Sequence, residues 1–246
     1  MIVSYRHRFI FAHSRKTAGS SIKVALAPHL GPLDIQVGGW SDALGAGHRP
    51  NLRVYWDLAS PRGIKALAKS RISGSGRAIN EAHKRRYRRI LGPSPEHSPA
   101  SVLRQFVGED TWASCFKFCF VRNPFEKAVS DWRWRVRVTG HEISFEKFIA
   151  DIVAGRESIF SPVQPDNWPI YTIENKIAVD YIGRFENLGH DIRCVFDTIG
   201  LPPPSEIPHA KASLSPSHYK VHYTPPVRKA VEDLFARELE AFGYQY

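Results

Sequence analysis

The stretch that most restricts the fold is residues 9–26, Phe9-Ile-Phe-Ala-His-Ser-Arg-Lys-Thr-Ala-Gly-Ser-Ser-Ile-Lys-Val-Ala-Leu26. Phe9 to Ala12 is a short apolar run with the length and aromatic content of a buried strand. Ser14 to Ser21 is polar and turn-like, and Ile22 and Leu26 then recur at helical spacing. A strand, a polar turn and a helix in succession aim the backbone N–H groups of a helix N-terminus at one spot. The dipole is positive there and the donors have no partner within the helix, so the turn suits a phosphate or sulfate. Lys16 adds a full charge, Thr17, Ser20 and Ser21 add hydroxyl donors, and Gly19 lets an anion approach the backbone.

The nucleotide P-loop pattern, G-x-x-x-x-G-K-[ST], is met only at Lys16-Thr17: no glycine precedes the lysine, and Gly19 and the serines follow it. Such a loop wraps an anion but suits a magnesium-bound triphosphate less well. A second strand-to-helix switch lies at residues 116–132. Phe116-Lys-Phe-Cys-Phe-Val121 is the clearest strand in the chain, and Arg122 ends it. Asn123 is the predicted N-cap and Pro124 the first helical residue, with Phe125, Val129 and Trp132 on the apolar face. Ser130 falls about two turns into that helix. Ligands of open α/β sheets bind at such carboxyl ends, which makes Arg122 an anion contact; the alternative is a structural salt bridge.

The chain has 246 residues, 43% hydrophobic and 24% charged, enough for one large domain with its own core. No apolar run approaches a membrane span, no signal-peptide layout opens the chain, and the N-terminus leads straight into a predicted strand. Cys115, Cys119 and Cys194 have no zinc-like spacing and read as buried free thiols of a reducing compartment. No metal-ligand cluster is evident. The net charge is +10, and the excess sits almost wholly between Arg62 and Arg89, where ten Lys and Arg face one acid, Glu81. That segment is either a solvated basic helix or loop, with Ser73-Gly-Ser-Gly76 as a turn, or a field that draws in an anionic partner.

Elsewhere, glycines and prolines break up residues 29–60, with Leu33–Val37 as a short strand. Trp40, Tyr55 and Trp56 pack, or line an acceptor site. Ser98 and Pro99 read as N-cap and first residue of a helix ending at Gly108, so His97 precedes a helix start, where the dipole favours a neutral imidazole able to take a proton. Ser144–Val153 reads as a helix, Phe160–Pro169 as an irregular proline-rich loop, Ala178–Gly183 as a strand and Asp191–Ile199 as a helix. A last apolar stripe runs from Thr224 to Gly243. There is no internal repeat, so a single domain, 1–246, carries a basic insert at about 60–92.

These residues resemble a known group. Arg15-Lys-Thr-Ala-Gly-Ser-Ser21 is similar to the 5′-phosphosulfate loop of the sulfotransferases that use 3′-phosphoadenosine 5′-phosphosulfate (PAPS). Phe118-Cys-Phe-Val-Arg-Asn-Pro-Phe-Glu-Lys-Ala-Val-Ser130 resembles their 3′-phosphate motif, in the form of the Golgi carbohydrate sulfotransferases and their bacterial relatives. His97–Arg104, Val179–Leu188 and Phe242–Tyr244 also match; residues 29–95 and 133–177 carry nothing specific. The resemblance implies a three-layer, P-loop-like α/β fold with a central, mainly parallel sheet flanked by helices. It implies a donor site of Arg15, Lys16, Thr17, Ala18, Gly19, Ser20 and Ser21 at the phosphosulfate and of Arg122 and Ser130 at the 3′-phosphate. Lys16 and His97 become the catalytic residues, with His83, His48, His13 and Glu96 as rivals for the base. No metal is needed. The expected acceptor is a glycan, made acidic by the reading of the basic segment as a substrate field. The expected setting is the cytoplasm, as a bacterial-type enzyme, or a soluble domain trimmed from an anchored form. The competing readings are a P-loop kinase or NTPase, which needs a magnesium-holding Asp where Arg122 stands, and a basic nucleic-acid-binding protein, for which no recognised module is present.

Overall fold

The computed structural model describes residues 1–156, 158, 160, 165–204 and 219–246. In chain order the elements are β1 (Ile2–Ser4), β2 (Phe9–Phe11), α1 (Gly19–Leu26), β3 (Ile35–Gln36), α2 (Trp40–Gly45), α3 (Leu52–Asp57), α4 (Pro61–Ser73) and α5 (Arg77–Leu91). There follow α6 (Ala100–Val107), α7 (Glu109–Ser114), β4 (Phe116–Val121), α8 (Pro124–Thr139), α9 (Phe145–Val153), α10 (Trp168–Tyr171), β5 (Thr172–Ile173) and β6 (Lys176–Ile177). The chain closes with β7 (Tyr181–Arg184), α11 (Leu188–Thr198), α12 (Pro225–Leu234) and α13 (Ala236–Phe242). It gathers into two compact units, one of residues 1–120 and 169–210 and one of residues 121–168 and 211–246.

The first unit holds a five-stranded sheet in the order β3-β1-β2-β4-β7. The sheet is mixed. β2 and β4 run parallel, Phe9 opposite Phe116 and Phe11 opposite Phe118, so both strands point their carboxyl ends at the same edge. β1 departs from the parallel expectation and runs antiparallel to both β2 and β3. Its hairpin to β2 is closed by buried Asp34, whose carboxylate accepts from Ser4 Oγ at 2.6 Å and from the N–H groups of Tyr5 and Gly31 at 2.8 Å. The predicted strand at 178–183 lies further on, because Asp180 turns the chain: its N–H donates to Lys117 O at 2.8 Å and its carboxylate accepts from Lys117 N at 2.7 Å.

Phe9, Ile10 and Phe11 are all fully buried, so the sheet is covered on both faces at β2, its central strand, which carries no polar alternation. One face packs Phe9, Phe11, Phe118 and Phe120 against Ile22 and Leu26 of α1 and Ile192, Val195 and Phe196 of α11. Each such side chain contributes about 2 kcal/mol of burial. The cysteines are free; Cys115 and Cys119 are buried and Cys194 is half-buried.

The basic segment is a helical hairpin. Ser60 caps α4 through Gly63 N at 3.2 Å, and the Ser73–Gly76 turn leads into α5. The inner face of α5 is buried at Ile79, His83, Tyr87 and Leu91, the spacing of one helix stripe. Ile79 joins Trp40, Ala43, Val54 and Leu58 in a second core, so Trp40 is a packing residue while Tyr55 and Trp56 remain exposed. Asp57 pins the hairpin: its carboxylate accepts from Tyr87 Oη at 2.6 Å, His83 Nε2 at 3.1 Å, Arg53 Nε at 3.1 Å and Arg86 Nε at 3.0 Å. Burial alone would raise its pKa, but the hydrogen bonds from His83 and Tyr87 and the charge of Arg53 outweigh it and hold Asp57 at about 2.

The second unit is helical. Phe125, Val129, Phe145, Phe148, Val227, Val231 and Phe235 form its core. Asn123 caps α8 as predicted, and Ser144 caps α9 through Lys147 N at 3.2 Å. The final stripe is two helices rather than one, because Phe235 leaves helical geometry at φ −119 and ψ 24. Its ring lies 4.1 Å below the Lys127 ammonium, which pairs with Glu238 at 3.2 Å. Residues 161–164 of the predicted proline-rich loop lie outside the described residues.

Candidate functional site

The turn after β2 is built from buried polar residues. Ser14 and Thr17 are fully buried, and Thr17 Oγ1 donates to Ser14 O at 3.0 Å. Lys16 and Ala18 both adopt left-handed backbone, each with φ 62, on either side of Thr17. For residues with a Cβ this costs about 1–2 kcal/mol each. Left-handed residues interrupt the regular direction of successive N–H groups and gather them into a concave nest that suits a small anion. Ala18 is the N-cap of α1, and its side chain cannot accept a hydrogen bond, so the first N–H groups of α1 are left for another acceptor. Ser14 Oγ and His13 Nδ1 are buried without a partner, further polar capacity at the same turn.

Gly19 has a different local reason from the one its sequence position suggests. Its φ is not positive; a Cβ there would run into the His13 imidazole, at Nε2 and Cδ2. His13 lies against Gly19, stacks on Phe11 at 5.5 Å between centroids, and meets the His97 ring at 4.4 Å. His97 Nδ1 lies 2.8 Å from His13 O. A carbonyl only accepts, so the proton sits on Nδ1, and the neutral ring keeps its lone pair on Nε2. Burial is the largest influence on His97 and pushes its pKa well below 6.5; Glu96 opposes the shift and Arg15 adds to it. The direction expected from the helix start holds, but burial is what produces it, and Ser98 does not cap α6: its hydroxyl donates to Leu91 O at 2.9 Å and Pro95 O at 3.0 Å.

Behind the turn lies a charged layer that sequence reasoning missed. Lys23, on α1, is 1% exposed and donates to Val37 O at 2.8 Å; burial brings its pKa down to about 8. Lys84 meets Glu96 at 2.8 Å. Burial works against ionising Glu96, but the positive groups around it, Lys23 and Lys84 among them, bring it to about 2. The signal for Lys23 was present: every neighbour on the inner side of α1 is apolar or small, so a lysine there has to bury its stem.

Arg15, Lys16, Thr17, Ala18, Gly19, Ser20, Ser21, His13, Glu96 and His97 thus belong to the first unit, with the turn and the two imidazoles in contact. Among the rivals, His83 Nε2 is engaged by Asp57, and His48 sits just beyond α2, its N–H on Ala43 O at 3.0 Å. Arg122 and Ser130 belong to the second unit. Arg122 follows β4 directly, is 9% exposed and pairs with Glu126 at 3.1 Å, one helical turn on; Ser130 is half-exposed on α8. Among the described residues no group of three His, Cys, Asp or Glu is placed to hold a metal ion, and no helix is long and apolar enough to cross a membrane.

Among curated proteins, an uncharacterized protein of Archaeoglobus fulgidus is 36% identical over 108 residues, 42% of this chain and 83% of that one. No solved structure matches. The model described as the sulfotransferase family matches residues 1–245, a span that takes in both strand-to-helix switches. The buried, left-handed turn after β2 and the Arg122 segment after β4 thus stand inside one continuous match, and the chain belongs to the sulfotransferase family.

Proposed function

We propose that the protein moves a sulfuryl group from PAPS to a hydroxyl of a carbohydrate, acting as a single 1–246 domain of three-layer, P-loop-like design. The observation that carries the reading is the turn at 14–21: two left-handed residues, an N-cap without a capping side chain and an orphaned buried hydroxyl suit a tetrahedral anion. Arg15 to Ser21 would hold the 5′-phosphosulfate, and Arg122 and Ser130 the 3′-phosphate. The order of the two motifs along the chain, each directly after an apolar strand, supports this division. The bound nucleotide supplies the transferable sulfuryl group.

Sulfuryl transfer, like phosphoryl transfer, runs through a loose in-line transition state in which positioning and charge stabilisation do most of the catalysis. Lys16 and the loop N–H groups meet the negative charge that builds on the oxygen leaving with the 5′-phosphate. The acceptor oxygen bonds to sulfur as that S–O bond breaks, and its proton passes to His97 Nε2. A neutral imidazole at pH 7 is what burial gives His97. The basic hairpin motivates an acidic acceptor, tested by comparing neutral and acidic oligosaccharides with labelled donor; a preference for neutral sugars removes that part.

Two measurements test the reading. Adenosine 3′,5′-bisphosphate should bind the protein tightly, and Arg122→Ala should weaken it about tenfold or more while leaving adenosine 5′-phosphate binding unchanged, since a charged hydrogen bond contributes about 1.5–3 kcal/mol. Equal loss for both ligands would remove Arg122 from the 3′-phosphate, and magnesium-dependent ATP consumption would turn the assignment towards a kinase. His97→Gln should lower kcat about 10²–10⁴-fold. In the wild type the folded value lies below 6.5, so the base stays neutral as pH falls through 6.5, and the acid limb of kcat/KM should lie lower than that. The unfolded chain takes up this proton first, so stability falls with pH below 6.5, and His97→Gln should flatten that slope. An acid limb at or above 6.5 assigns the base elsewhere.

A further inference from the structure

The α4–α5 hairpin, whose charge motivates an acidic acceptor, also carries an exposed apolar stripe that an acidic glycan gives no reason for. On α4, Ile64, Ala68 and Ile72 are spaced by four, so they share one face. The face looks to solvent: Ile64 is 60% exposed and Ile72, beside the hairpin tip, is 87% exposed, while Gly63 and Ser70 on the other side are buried. Lys65, Lys69 and Arg71 flank the stripe, all exposed. Arg77, Arg85, Arg88 and Arg89 on α5 are exposed as well and strengthen the field. None of these cations has a carboxylate partner among the described residues, whereas Arg86 pairs with Asp57 and Lys84 with Glu96. Between the two helices, a groove of about 640 Å³ continues the mixture, with Arg62, Arg85 and Arg89 outnumbering Asp57 and Glu81 around Leu58 and Ala66.

We propose that this face docks the protein on an anionic lipid surface, with Ile64 and Ile72 entering the acyl boundary and the surrounding Lys and Arg meeting the headgroups. A surface with a hydrophobic stripe inside a cationic border is matched by a bilayer that offers carbon beneath negative charge. A soluble polyanion, glycan or nucleic acid, would engage the cations and leave two isoleucines in water. A second copy of the chain would cover the isoleucines but bring two strongly positive faces together. Attachment is peripheral, since the hairpin helices, 13 and 15 residues long, are too short and too charged to span. The docking is independent of what the turn at 14–21 transfers.

The test is co-sedimentation of the full chain with vesicles of phosphatidylcholine alone and of phosphatidylcholine mixed with phosphatidylglycerol. The protein should partition to the mixed vesicles and remain free of the zwitterionic ones. Ile64→Ser with Ile72→Ser should reduce partitioning at least about tenfold, through loss of apolar burial, with an unchanged melting temperature because both side chains are exposed. Lys65→Gln with Lys69→Gln should reduce it too, and raised salt should weaken the wild type. Three results overturn the proposal: no partitioning to mixed vesicles; isoleucine variants that bind vesicles as the wild type does, which makes the hairpin a polyanion site; or concentration-dependent dimerisation that the isoleucine variants abolish, which makes it an interface between copies.

Discussion

Lys16→Ala is expected to lower the rate of sulfuryl transfer by about 10²–10³-fold or more, the loss seen when one preorganised contact to developing charge is removed. The comparison is clean for a structural reason. Lys16 is half-buried and left-handed, at φ 62. Alanine carries the same Cβ and so the same backbone cost, and the loop N–H groups stay where they are. The melting temperature should therefore shift only slightly, within about 0.5 kcal/mol of stability. If the ammonium acts on the leaving oxygen, kcat and kcat/KM fall together while affinity for adenosine 3′,5′-bisphosphate falls less. If Lys16 merely holds donor in its ground state, KM rises and kcat stands. Undiminished turnover in this variant would remove the turn at 14–21 from the chemistry altogether.

What the chain discloses in advance is local. Phe9–Phe11 and Phe116–Val121 are apolar runs too short for helices and bounded by polar turns, and both are strands. Asn123 caps α8, with Pro124 as its first residue, because a side-chain oxygen one residue before an apolar stripe has few other uses. The site is less legible because its geometry depends on partners distant in sequence. Ser98 has the sequence of a cap, yet two carbonyls, Leu91 O and Pro95 O, take its hydroxyl. Asp57, His83 and Tyr87 meet only once α5 folds back, so a charge-rich segment conceals a buried polar pin. The left-handed residues of the turn are Lys16 and Ala18, where propensity alone would have chosen Gly19. That choice is itself informative: strained residues at a turn with an orphaned buried hydroxyl are retained against a cost, which is typical of ligand-holding backbone.

Gly19→Ala should be strongly damaging for so small a substitution, and a double-mutant cycle isolates why. Alanine suits the backbone of Gly19 and would normally favour a helix start. Its Cβ would collide with the His13 imidazole, which has little room to yield: Phe11 stacks on it at 5.5 Å and His97 at 4.4 Å. Overpacking of this kind costs about 1–3 kcal/mol. It also disturbs the His97 ring and the first turn of α1 together, so the transfer rate should fall by more than the stability loss alone would explain. In His13→Ala the ring is gone, and adding Gly19→Ala should then cost nothing or stabilise slightly. The predicted coupling between the two positions is about 1–3 kcal/mol by thermal or denaturant unfolding. Strictly additive effects would show that no imidazole stands against Gly19 in solution, and with it would go the link between the turn and His97.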